Sequence, residues 1–436
     1  MTRRGVWIGA FAVLAFAQTL AYYVYLRDDP GNYNGAGASG DQVAYVDLAQ
    51  QVLHGTWQGA VHYMPGLPAV IAASQLAFGD PRLGIAVVQG LIYAALVLYA
   101  ARLAARAFGE AASVWAAACV GLNPAIGYYA AQALTEFLTG AVLLLLVGAI
   151  YAWARSPSFV AAGWAGALIG AAAYLRAEYL VLAVIFAAIL VWLRGRLVLG
   201  QAAALIGATA LVMAPWVARY AVTTGQPALY NASPFSNLVL MGTWFRVFDA
   251  QTFSELQQIE TAPGSREEAI ARAATVGPRP ELSQRYMEQA RGPYELPLGQ
   301  TLSLALGNVQ LNLRQFLVNH LAEAPILIWA GHTPVRQADA QNLPTTARYL
   351  IWGSELALLL LALWQSVRAY GAQETRPIAL SFVAIVGFLT LVHIVVAVDE
   401  RFTTPALPLV GLFAGSRLAD LARGRQPAAV RYASSP

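Results

Sequence analysis

Runs of about twenty apolar residues recur along the chain, separated by short basic turns and by a few longer polar stretches. Runs of that length cross a bilayer as helices. The pattern predicts about ten spans: Gly5–Leu26, Leu83–Ala105, Ala112–Tyr129, Leu134–Ala154, Phe159–Leu175, Tyr179–Leu193, Val198–Val217, Tyr349–Val367, Pro377–Val398 and Thr403–Ala422. The first run is too long for the apolar core of a signal peptide. A cleavage-like Ala36-Gly37-Ala38 lies well beyond it, so an uncleaved first span is expected. Leu317–Ala330 is apolar but short, and reads as an interfacial helix. The polar part from Glu255 to Arg291 reads as an exposed loop with short helices.

Composition agrees with this all-α, polytopic reading. The 436 residues are 58% hydrophobic and only 11% charged, with a mean hydropathy of +0.53. Soluble domains carry roughly 25% charged residues. The single cysteine, Cys119, excludes an internal disulfide framework. The net charge of +4 comes with no lysine at all. No arginine stripe interleaved with aromatics and no nucleic-acid module is present, so no nucleic-acid partner is expected.

The arginines orient the spans. With the N-terminus inside, Arg102, Arg106, Arg155, Arg194, Arg196, Arg368, Arg376 and the tail with Arg417, Arg423, Arg425 and Arg431 all fall on the cytoplasmic side. Both termini are then cytoplasmic, in a plasma (inner) membrane. The segments 27–82, the turn at Arg176 and 219–348 lie outside. Three parts follow: a transmembrane module over 1–218 with an outer loop at 27–82, an extracytoplasmic part at 219–348, and C-terminal helices over 349–436.

Ionisable groups at membrane depth are functional hypotheses by default. Asp41, Asp47, Glu136, Arg176, Glu178, Arg219, Asp399, Glu400 and Arg401 all fall on the outer side. The short basic cytoplasmic loops offer no glycine-rich phosphate loop, so chemistry is expected at the outer face. Asp41 opens a stretch in which Tyr45, Leu48, Ala49, Val52 and Leu53 recur at helical spacing. Asp41 and Tyr45 share a face. Asp41 also reads as an acid favoured at a helix start, with Ser39 and Gln42 as a capping box. His62 and Tyr63 precede a rigid bend, Pro65-Gly66-Leu67-Pro68, and His62 has no second ligand at metal spacing. Arg176 and Glu178 stand two apart, so an ion pair between them is not assured on a helix. Arg219 follows Pro215-Trp216 at an expected helix end, and Arg401 stands where the last span begins. Any one arginine reads as a helix-end anchor; several on one side suit phosphate oxygens. Gly166 and Gly170 read as a helix-packing motif, and Asn231-Ala232-Ser233 as a chance glycosylation triplet.

These residues, taken in order, resemble the GT-C glycosyltransferases that use polyprenyl-phosphate sugars. In pattern they are nearest to protein O-mannosyltransferases and to the aminoarabinose transferases of lipid A. Gly40-Asp41-Gln42-Val43-Ala44-Tyr45 resembles the aspartate motif of the family's first outer loop, with Ala49 and Gly55 following. Tyr63 to Pro68 resembles the proline-rich entry to a second interfacial helix. Thr135-Glu136, Arg176-Ala177-Glu178, Pro215-Trp216 through Arg219, Asn237-Leu238 with Gly242, and Arg401 with Pro405 and Pro408 resemble later motifs. Gln42 stands where a second acid is common, Met64 where a basic residue is expected, Gly66 where a second proline is usual, and Tyr220 where an asparagine is usual.

The resemblance implies a GT-C fold and a sugar donor on a polyprenyl phosphate, with no further cofactor and no essential metal. It implies Asp41 as general base, Arg176, Arg219 and Arg401 as phosphate ligands, and Glu136, Tyr45, Tyr63, His62 and Glu178 as substrate-binding residues. The implied partners are membrane lipid, the lipid-linked donor and an acceptor that is a glycan, lipid or protein; the implied reaction inverts the anomeric centre. A transporter or flippase shares the raw composition, but transporters place polar groups near the midplane. A noncatalytic subunit of an envelope complex is a third reading.

Overall fold

The computed structural model describes residues 2–28, 40–57, 63–225, 228–229, 233–292, 296–396 and 398–424, with the side chains of 233–237, 337, 338 and 341 excepted. His62, Ser39, Ala36 to Ala38, Asn231, Ala232, Arg425 and Arg431 lie outside the described residues. Every regular element among the described residues is helical. They fall into two compact units: Met1–Leu229 with His332–Gly387 and Thr403–Pro436, and Tyr230–Gly331 with Phe388–Phe402.

The first unit begins with α1 (Arg3–Leu26), α2 (Asp41–Leu53), α3 (Gly66–Phe78), α4 (Pro81–Phe108), α5 (Glu110–Gly121), α6 (Pro124–Ala130), α7 (Thr135–Arg155) and α8 (Phe159–Leu175). A 3₁₀ turn at Ala177–Leu180 leads to α9 (Val181–Arg194), and another at Gly195–Val198 to α10 (Leu199–Thr224). Among the described residues six stretches are long and apolar enough to cross a membrane: Arg3–Leu26, Pro81–Phe108, Thr135–Arg155, Ala177–Thr224, Thr345–Gly371 and Arg376–Val395. Ala177–Thr224 holds two of the spans expected from sequence, joined by the 3₁₀ turn. The remaining expected spans are shorter. Phe159–Leu175 has 17 residues and Leu407–Ala422 has 16.

The expected span Ala112–Tyr129 is broken. Proline has no N–H, and the residue before it avoids the helical region. Asn123 therefore stays extended ahead of Pro124, and its side chain accepts from the Ile126 N–H at 3.1 Å to cap α6. The break matters because the turn after α6 carries Gln132 and Ala133 toward α2. Arg219 also departs from expectation. The helix runs on to Thr224 and stops at Gly225, whose left-handed φ of 74° suits a glycine. Arg219 is thus within α10, not at its end.

The small residues of α8 do what the motif predicts. No room exists for a Cβ at Gly166 beside the Leu205 carbonyl, and a Cβ at Gly170 would come 2.7 Å from Val212. Thr209 donates to the Gly166 carbonyl across this crossing at 2.9 Å. Backbones held this close pack α8 on α10, as small residues do between helices in lipid.

The second unit contains α11 (Ser233–Gly242), α12 (Ala250–Thr261), α13 (Arg266–Ala273), α14 (Pro280–Ala290) and α15 (Leu298–Leu311). The part expected to be an exposed loop with short helices does form short helices, and they close a small core of their own, from Trp244, Leu256, Ile259, Ala273, Leu282, Tyr286 and Met287. The apolar residues of these short helices are few enough to look polar overall, yet they recur at helical spacing. Next come α16 (Leu313–Val318), a π turn (Asn319–Glu323) and α17 (Ala324–Ala330) in one continuous rod. Pro325 cannot donate to a carbonyl four residues back, and the wider turn just before it accommodates this. In this unit a cavity of about 890 Å³ is lined by Trp244, Phe248 and Phe253 with Arg246, Asn319 and Glu323. The chain continues through α18 (Gln337–Asn342), α19 (Thr345–Gly371), α20 (Arg376–Val395), a 3₁₀ turn (Glu400–Ala406) and α21 (Leu407–Ala422).

Candidate active site

Asp41 is the first residue of α2, after Gly40, whose φ of 132° places it outside the range easily reached by other residues. Gln42, one residue on, reaches across the fold. Its amide nitrogen donates to Gln132 Oε1 at 3.0 Å, and its Oε1 accepts from the Ala133 N–H at 3.2 Å. Gln89 holds the same turn by donating to the Gln132 carbonyl at 2.7 Å. Gln42 thus fixes α2 against the segment leading into α7, a role that suits an amide, which donates and accepts at once.

Tyr63 donates to Asp41 Oδ1 at 2.9 Å. Its ring meets Tyr45 edge-on, with centroids 4.8 Å apart. Tyr45 is buried, and burial pushes its phenol pKa up; Glu136 adds to the rise and Arg176 works against it. Tyr45 therefore remains a hydroxyl donor. Glu136, Arg176 and Asp41 lie within electrostatic reach of the Tyr45 phenol, and of the predicted residues Tyr63 touches its ring.

Arg176 is extended at the end of α8, with φ −150° and ψ 117°. The chain bends here, with extended Arg176 leading into the 3₁₀ turn that carries Glu178, and across this bend Arg176 does pair with Glu178. Its Nε lies 3.0 Å from Glu178 Oε1, and its Nη1 lies 3.4 Å from Glu136 Oε1. Glu136 keeps 3% of its side chain exposed and Arg176 keeps 16%. Burial pulls the Arg176 pKa down, but Glu178 and then Glu136 outweigh it and the net shift is upward. One cation thus faces two carboxylates.

Arg219 differs. It lies exposed on α10, donates from Nη2 to the Trp57 carbonyl at 2.7 Å and sits 5.6 Å from the centre of a Trp57 ring. Trp57 stacks on Trp216 at 5.2 Å. The buried Trp57 indole N–H finds no hydrogen-bond partner among the described residues. No carboxylate pairs with Arg219 among the described residues. Arg401 belongs to the second unit, where its Nε lies 3.5 Å from Asp399 Oδ2. Asp47 is exposed on α2.

Gly66 explains itself here. A Cβ on it would come 2.6 Å from the Tyr174 carbonyl and 3.2 Å from Leu175, directly before Arg176. The proline usual at this place has a Cβ and would not fit. Gly66→Ala is expected to cost about 1–3 kcal/mol through overpacking, measured as a lowered thermal midpoint of the purified protein. An unchanged midpoint would mean that α3 does not press on this turn.

Sequence reasoning overlooked several polar residues. Gln132 and Trp57 show no motif; only a polar side chain in an apolar run, and a tryptophan in a loop, set them apart. Glu355 lies within an expected span. In the first unit its Oε2 lies 3.2 Å from His332 Nδ1, and Thr403 Oγ1 lies 3.4 Å from His332 Nε2. All three are buried. Among the described residues no group of three or more His, Cys, Asp or Glu side chains is placed to hold a metal ion.

No family model and no curated protein matches the chain. Solved structures do. The archaeal oligosaccharyltransferase AglB from Archaeoglobus fulgidus, in complex with an inhibitory peptide and a dolichol-phosphate, aligns with TM-score 0.52 at 11% identity, over 97% of this chain and 52% of that one. The same enzyme tethered to an acceptor peptide containing the NVT sequon aligns with TM-score 0.52 at 12% identity, over 97% and 51%. ArnT from Cupriavidus metallidurans, bound to undecaprenyl phosphate, aligns with TM-score 0.39 at 14% identity, over 95% and 79%. The chain spans about half the length of the oligosaccharyltransferase. The likeness to the oligosaccharyltransferase is one of architecture alone: the chain is a polytopic helical membrane protein that shares that enzyme's fold.

Proposed function

We propose that the protein is a membrane glycosyltransferase that moves a sugar from a polyprenyl phosphate to an acceptor hydroxyl at the extracytoplasmic face. The observation that carries this reading is Asp41, held by Tyr63 at the start of α2, with Tyr45 of the same helix within electrostatic reach of Asp41, Glu136 and Arg176. Asp41 takes the proton of the acceptor hydroxyl as that oxygen attacks the anomeric carbon. The bond from this carbon to the phosphate oxygen breaks, its electron pair leaves with the phosphate, and the centre inverts. Fixed cations facing the departing phosphate lower the barrier.

Arg219 is the cation best suited to that phosphate. Arg176 and Arg401 already face carboxylates, whereas Arg219 stands beside the unpartnered Trp57 N–H. Arg176 is assigned instead to holding Glu136 and Glu178 toward the sugar. Arg219→Gln is expected to raise the donor KM about tenfold to a hundredfold, the range for losing a charged hydrogen bond, with Arg219→Lys recovering part of it. An unchanged donor KM would remove Arg219 from the phosphate site.

Guanidinium groups can meet the charge of a lipid monophosphate, so the reading assigns no metal to the reaction. Treatment with EDTA is expected to leave the transfer rate unaltered. A loss reversed by added Mg²⁺ or Mn²⁺ would overturn that part. The function as a whole is tested by mass spectrometry of lipids from a strain lacking the protein. A polyprenyl-phosphate sugar should accumulate; a lipid profile unchanged from wild type would count against the transferase.

A further inference from the structure

A second basic site lies at the far end of the helices from Glu136. α7 carries Glu136 in its first turn and Arg155 as its last residue. At 1.5 Å per residue these ends are about 30 Å apart. Around Arg155 a cavity of about 450 Å³ is lined by Tyr99, Arg102, Arg106, Gly148, Tyr151 and Arg155, with Leu103 and Ala152. None of these residues is acidic, and no carboxylate pairs with the three arginines among the described residues.

The walls are tied together. Tyr151 donates to the Arg106 carbonyl at 3.0 Å, which joins the ends of α7 and α4. Arg155 Nη1 donates to the same hydroxyl at 3.4 Å, and its Cζ lies 5.8 Å from the centre of the Tyr151 ring. Tyr99 is seated against Gly148, where no Cβ would fit beneath its hydroxyl. The helix dipole favours cations at helix ends and accounts for Arg106 and Arg155, each in a last turn. It does not account for Arg102 one turn earlier, nor for a concave site walled by two tyrosines.

We infer that this cavity binds a phosphate-bearing anion, the headgroup of an acidic phospholipid being the source favoured by its place at the end of apolar helices. Three guanidinium forks match phosphate oxygens in charge and geometry. Basic pockets between spans take such headgroups. The site is separate from the proposed donor site, and its occupancy does not depend on the transfer reaction.

The test is native mass spectrometry of the purified full chain with dioleoylphosphatidylglycerol, with dioleoylphosphatidylcholine as the neutral comparison and inorganic phosphate as the soluble competitor. The wild type should retain phosphatidylglycerol selectively. The variant Arg102→Gln/Arg106→Gln/Arg155→Gln should bind it about a hundredfold more weakly, and the matching triple lysine variant should keep most of the binding. Displacement of the lipid by millimolar phosphate would support the site and identify a soluble phosphate compound as its ligand. Equal retention of the two lipids, or undiminished phosphatidylglycerol binding by the glutamine variant, would overturn the proposal. If the triple variant does not fold, Arg102→Gln alone carries the test, with a loss of about fivefold expected and no loss overturning it.

Discussion

Asp41→Asn is expected to lower the transfer rate by about 10²- to 10⁴-fold, the range lost with a general base, while the donor KM stays within about twofold. Asparagine preserves the shape of the side chain, and its amide oxygen still accepts from the Tyr63 hydroxyl that now lies 2.9 Å from Oδ1. What it loses is the capacity to take a proton. Tyr63→Phe gives the complementary case. It removes the hydrogen bond that aims the carboxylate and leaves the carboxylate itself, so a loss of about tenfold is expected, equivalent to one ordinary hydrogen bond. Initial rates with a labelled polyprenyl-phosphate sugar and purified protein in lipid nanodiscs measure both. Wild-type turnover by Asp41→Asn would exclude Asp41 as the base.

Arg176→Ala is expected to destabilise the protein by about 3–5 kcal/mol, the usual cost of leaving one partner of a buried ion pair behind. Glu136 is the group left in difficulty, since almost none of its side chain reaches solvent and Arg176 is its cationic partner. Adding Glu136→Gln to Arg176→Ala should recover much of the loss, because a neutral amide costs less to bury than a carboxylate. The coupling between the two positions in a double-mutant cycle is the quantity to measure, from thermal or denaturant unfolding in one detergent. Independent, additive effects would mean that Glu136 and Arg176 do not depend on each other. If Arg176 instead held only substrate, its loss would change donor binding and leave unfolding alone.

The division between what the sequence showed and what it hid follows from physics. Apolar run length announces helices that cross a bilayer, so α1, α4, α7, α10, α19 and α20 were legible. The helical spacing of Tyr45, Leu48 and Ala49 announced α2, and all three are buried on it. Breaks were harder. Asn123-Pro124 carries a helix-start signal, but it is submerged in apolar neighbours that read as one span. Contacts across the fold were hidden altogether. Gln42 read as a local cap, and nothing in its neighbourhood announces that it also reaches Gln132 and Ala133, 90 and 91 positions away. The Arg176–Glu178 pair was doubted on regular helical geometry, and it forms at a bend where an extended residue leads into a 3₁₀ turn. Gly66 looked like a departure from a pattern, and only the Tyr174 carbonyl beside it shows why a glycine is needed.

Photo-crosslinking locates the donor most directly. A polyprenyl-phosphate sugar carrying a diazirine on the sugar ring is bound to the purified protein, irradiated, and the labelled peptides are sequenced. If the carboxylate at the head of the interfacial helix is where the sugar departs, label falls on Asp41 to Tyr45 or on Tyr63 and is competed away by unlabelled donor. Competable label confined to other segments, with none on these residues, contradicts the account.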